Sequence, residues 1–89
     1  MIPERTRRAL QAWIEHGQLP GGFCTAVISN NLLEAVNRAD DENLAALPEI
    51  IRWLYNTAPC GCWGSPEHVK NWPEYLRNKA RPDYLRIEE

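Results

Sequence analysis

"NTAPCGCWGSPEH", residues 56–68, decides how the rest of the chain is read. It holds two cysteines one residue apart, a tryptophan, and a histidine six residues beyond Cys62. As a metal knot it would organise the fold; as a sharp corner it would only join two helices. Structural zinc sites usually space their cysteines as C-x₂₋₄-C and add a second ligand pair. Here the spacing is C-x-C, His68 is the one histidine nearby, and Cys24 is a distant fourth ligand. A redox pair would be C-x-x-C at a helix start. The simpler reading is a corner: Gly61 and Gly64 bend the backbone, Cys60 and Cys62 serve as small apolar side chains, and Trp63 anchors them.

On the downstream side, Ser65 reads as an N-cap, Pro66 as the first helical residue and Glu67 as a first-turn acid. That predicts a helix over 66–72. Pro73 then ends it, and a separate short helix runs over 73–79. Arg81-Pro82-Asp83-Tyr84 reads as a turn, and 85–89 as a flexible tail.

On the upstream side, Leu44, Leu47, Ile51, Leu54 and Tyr55 form an apolar stripe on one bent helical unit that contains Pro48. Asp40 or Asp41 caps its start, and Glu42 adds negative charge to the first turn. Residues 24–38 read as one helix, with Cys24, Val27, Ile28, Leu32, Ala35, Val36 and Ala39 on its apolar side. Asn30 and Asn31 in its middle are weak helix formers, so packing must hold it. Pro20-Gly21 is a turn dipeptide, and Phe23 plugs the base of the helix after it. Residues 3–16 form the first helix, with Pro3 in its first turn, Thr6, Leu10, Trp13 and Ile14 near one face, and Gly17 as its stop. His16 at its end suits the negative pole of the helix dipole.

No run alternates with period two, so the fold class is all-α: a compact bundle of four to five short helices, one domain over 1–84. With 89 residues the core is limited, and four Trp, three Tyr and one Phe weigh heavily in it. No apolar run reaches the ~20 residues of a membrane span, and no apolar segment follows the N-terminal arginines, so the expected setting is the cytosol. Three cysteines is an odd number, which fits reduced thiols rather than a disulfide framework.

Catalytic and cofactor patterns are weak. "PGGF" lacks the phosphate-cradling glycine spacings, and "ADDEN" lacks the glycine and spacing of a calcium loop. His68 lies in a first helical turn, where the dipole disfavours its charged form, and reads as a packing or surface residue. The chain is therefore read as non-enzymatic, with no cofactor and no metal. The net charge of −2 gives no global attraction to nucleic acid. Arginines 5, 7 and 8, with Lys70, Arg77, Lys79 and Arg81, would need to converge for phosphate binding, so a nucleic-acid-binding regulator is the alternative.

Residues 20–65 carry P-G-x-F, T-A-V-x-S-N-x-L, R-A-D-x-E-N, A-L-P-E-I and C-W-G-S. In these the chain resembles a family of small phage and prophage proteins of no assigned activity. The resemblance implies an accessory or anti-defence role in which the protein binds and occludes a host protein. The segment after Val69 lies outside it. Trp, Tyr and Arg dominate binding hot spots, which makes Trp63, Trp72, Tyr75 and Arg77 the candidate partner-binding residues. A homodimer would also extend so small a core.

Overall fold

The structure, a computed structural model, describes residues 1–80. Along them run α1 (Glu4–His16), α2 (Gly22–Ile28), α3 (Leu32–Arg38), α4 (Asp41–Thr57), a 3₁₀ turn (Cys60–Cys62) and α5 (Pro66–Ala80). The described residues contain no strand, as the sequence predicts. The turn expected at 81–84 and the tail expected at 85–89 lie outside the described residues.

Several boundaries arise from local chemistry. Pro3 precedes α1, and its carbonyl accepts from the N–H groups of Thr6 and Arg7 at 3.1 and 3.0 Å. Gly17 closes α1 in the left-handed region (φ 68°), returning its N–H to the Trp13 carbonyl at 2.9 Å. A β-carbon there would lie 3.1 Å from the Pro73 Cα, so the same glycine also lets α5 approach closely. Asp40 caps α4 by accepting the Asn43 N–H at 2.8 Å, and Ser65 caps α5 by accepting the His68 N–H at 3.1 Å.

The helix read over 24–38 is two helices. Asn30 sits at φ 61°, and Asn31 caps α3 through Oδ1, which accepts the Glu34 N–H at 3.2 Å. Asparagine tolerates the left-handed region and favours the N-cap, so the two residues that weaken the helix in sequence are where it breaks. The break sends α3 off in a new direction. Of α3 only Ala35 is buried, while Leu32, Leu33 and Val36 face outward.

α4 is one continuous helix through Pro48. Pro48 removes the donor that the Leu44 carbonyl would take, on an exposed turn where solvent can replace it. The stripe it presents inward differs from the expected one: Asn43, Ala46, Ile50 and Leu54 are buried, whereas Leu44, Ile51 and Tyr55 are exposed. α5 also runs unbroken through Pro73, correcting the expected split there. Pro73 rests against Gly17, and Trp72 is anchored in the core, so tertiary contact holds the helix across the missing hydrogen bond.

The core gathers Leu10 and Trp13 of α1, Ile28 of α2, Ile50 and Leu54 of α4, and Cys62 of the corner, all essentially inaccessible. A buried polar contact crosses it: the Thr6 hydroxyl donates to Asn43 Oδ1 at 2.6 Å, joining α1 to α4. No buried side-chain nitrogen or oxygen among the described residues lacks a partner. No described helix is long and apolar enough to cross a membrane.

Candidate interaction groove beside the cysteine corner

The corner is clasped from two sides. The Trp13 indole N–H donates to the Cys62 carbonyl at 2.8 Å, and the Gly64 N–H, at φ 104°, donates to the Ile28 carbonyl at 2.7 Å. His68 closes the third side, since its Nδ1 lies 2.8 Å from the Trp63 carbonyl and so donates there. The imidazole is thus spent on holding the turn.

The two cysteines of the corner differ. Cys62 is buried and Cys60 is exposed. Burial pushes the Cys62 thiol up to about 11, and burial does the same to Cys24. Neither is a nucleophile near neutrality, because the thiolate is the reactive form. Among the described residues no three of His, Cys, Asp and Glu converge on one point, so Cys60, Cys62, His68 and Cys24 do not form a ligand set. A thiol-reactive disulfide reagent should accordingly titrate one fast thiol per native chain and all three of Cys24, Cys60 and Cys62 after denaturation. Cys60→Ser should abolish the fast phase. A second fast thiol would show that the corner opens.

Trp63, Trp72, Tyr75 and Arg77, the partner-binding residues expected from the sequence, do not form one patch. Trp72 is only 7% exposed, so it belongs to the core and offers a partner little surface of its own. Its indole N–H is shared between the carbonyls of Trp13 and Ile14 at 3.0 and 3.2 Å. Trp63 is half-buried against the core. Arg77 is exposed, but it is two residues from Tyr75 and so about 200° around the helix from it. Of the three aromatics among them, Tyr75 is the most exposed. It is 51% exposed, one turn beyond Trp72 and stacked on it with ring centroids 5.1 Å apart and planes 22° apart.

That stacked pair borders an open groove of about 1010 Å³. Pro59, Cys60 and Gly61 of the corner form one wall, and Asn71, Trp72, Tyr75 and Lys79 of α5 form the other. The sequence points to Trp72 and Tyr75 but not to the corner residues facing them. Only the fold brings residues 59–61 across from 71–79.

The arginines of α1 are each matched to carboxylates. Arg5 pairs with Asp40 and Glu42, Arg7 with Glu4 at 2.8 Å, and Arg8 with Glu4 at 3.5 Å. Asp40 is held below the usual carboxylate range first by the Asn43 N–H it accepts and then by Arg5. The positive charge of α1 is therefore answered locally, and Arg81 lies outside the described residues.

No family model, curated protein or solved structure matches this chain.

Proposed function

We propose that the chain is a small, non-enzymatic protein-interaction module of the cytosol that binds and occludes a host protein through the groove beside α5. The observation that carries the reading is Tyr75 on its rigid base. Trp72 is fixed by two backbone carbonyls, and Tyr75 stacks on it while keeping half its surface free. Such a preorganised aromatic loses little rotamer freedom on binding and matches the residue types that dominate hot spots. Asn71, Glu74 and Lys79 give the groove a mixed polar rim. The matching partner surface is a loop or helix that offers an aliphatic or aromatic side chain to the tyrosine and polar groups to the rim. Nucleic acid fits less well, because the arginines of α1 already face carboxylates.

The test uses wild type and Tyr75→Ala as paired baits in host extract, read by quantitative mass spectrometry. A host protein retained at least tenfold better by wild type, with the variant's melting temperature within a few degrees, supports the reading. Equal retention by both baits would refute the groove, and salt-sensitive binding of duplex DNA with no protein partner would favour the nucleic-acid alternative.

A further inference from the structure

Apart from the residues that line the groove, α3 and α4 expose a set of large apolar side chains. Leu32, Leu33 and Val36 of α3 point outward, and so do Leu44, Ile51 and Tyr55 of α4, with Leu33 84% and Tyr55 80% exposed. The two rows are joined, since Leu32 and Ile51 border the same small depression between the helices. Single exposed apolar residues are ordinary, but six on two helices that meet at a shared depression, in so small a chain, are of the kind found at interfaces.

The charges beside the patch indicate what covers it. Asp41 and Arg52 are exposed and have no ion pair or hydrogen-bond partner among the described residues. By contrast Arg5, Arg38 and Glu34 are all paired. Asp41 and Arg52 are eleven residues apart on α4, so they lie on the same helix face within about 20°, roughly 16 Å apart along the axis. Opposite charges placed this way on one helix are complementary to the same helix running in reverse. With a two-fold axis between Ala45 and Pro48, Asp41 of each copy faces Arg52 of the other, and the contact is isologous. Ala45 and Pro48 are small, which lets the helices approach at the axis.

We infer that the α3–α4 face is the contact of a homodimer in which two copies of α4 pack antiparallel, flanked by two Asp41–Arg52 ion pairs. α4 is about 25 Å long and α3 about 10 Å, each with a width of about 10 Å, so each copy buries roughly 350 Å². That is smaller than a standard specific interface, so the dimer is a weak one that dissociates at tens of micromolar or higher concentration. It uses none of the residues that line the groove beside α5, and it does not depend on the function proposed for that groove.

Sedimentation equilibrium of the full chain from about 1 μM to 1 mM tests the inference. The expected result is a reversible shift from monomer to dimer, weakened at least tenfold by Ile51→Glu. Asp41→Arg alone and Arg52→Asp alone should each be weakened at least tenfold, because like charges then meet twice. An equimolar mixture of these two variants should associate more tightly than either alone, because in the mixed dimer both contacts join an arginine to an aspartate again. Circular dichroism confirms that each variant remains helical. A wild-type chain that stays monomeric to 1 mM overturns the inference. So does a dimer indifferent to Ile51→Glu, or a mixture no better associated than its components.

Discussion

Trp13→Ala is expected to lower the free energy of unfolding by about 5 kcal/mol, a loss comparable to the whole stability of many domains of this size. Emptying a fully buried tryptophan site typically costs about 3–5 kcal/mol, and orphaning a buried carbonyl adds roughly 1–3 kcal/mol. Both apply, since Trp13 is completely inaccessible and its indole N–H is the donor to Cys62. Domains of this size are stable by only about 5–15 kcal/mol, so the variant should be largely unfolded at ambient temperature. Trp13→Phe separates the two contributions by keeping most of the ring while losing the donor, and it should fall between wild type and Trp13→Ala. Urea denaturation followed by circular dichroism measures both. A loss below about 2 kcal/mol in Trp13→Ala would mean that the corner is not supported by the indole.

Trp72→Ala is the second. Its indole is buried and bound to the end of α1, so removal should cost about 4 kcal/mol and separate the C-terminal half of α5 from Gly17. Tyr75→Ala, one turn away, forfeits only a stacking contact worth about 0.5–1.5 kcal/mol. The contrast distinguishes a core residue from a surface anchor, although the two rings touch. Because Trp72 donates to the backbone carbonyl of Trp13, which Trp13→Ala keeps, the double variant Trp13→Ala/Trp72→Ala should lose close to the sum of the single losses. A loss well short of the sum would show that the two indoles support each other through the packing between them. A Trp72→Ala protein as stable as wild type would return that residue to the surface.

The candidate site is half legible in the sequence. Residue type picks out Trp72 and Tyr75, and their spacing of three puts them on one side of a helix. Arg77 joins them only by proximity in the chain, since a spacing of two sends it round the helix. The patch on α3 and α4 escapes the sequence for a related reason. Leu32, Val36, Leu44 and Ile51 repeat at helical intervals, and periodicity reports that a face is apolar without saying what covers it. Asn30 and Asn31 carry the signal for the break that turns α3 outward. Their low helix propensity is visible, but a left-handed asparagine followed by a capping asparagine is a choice of backbone conformation rather than of composition.

The sequence by itself determined the helical class and most of the punctuation: Gly17 ending α1, Asp40 or Asp41 starting α4, and Ser65-Pro66 starting α5. Each of these depends on contacts within about one turn of chain, and the residues needed are adjacent in order. The tertiary structure alone decided that Trp72 is buried, that α5 continues through Pro73, and that one of two apolar stripes on α4 faces inward. Those outcomes compare burial against partners 37 to 59 residues away, as in Thr6 with Asn43 and Trp72 with Trp13. Local propensity carries no record of such distances.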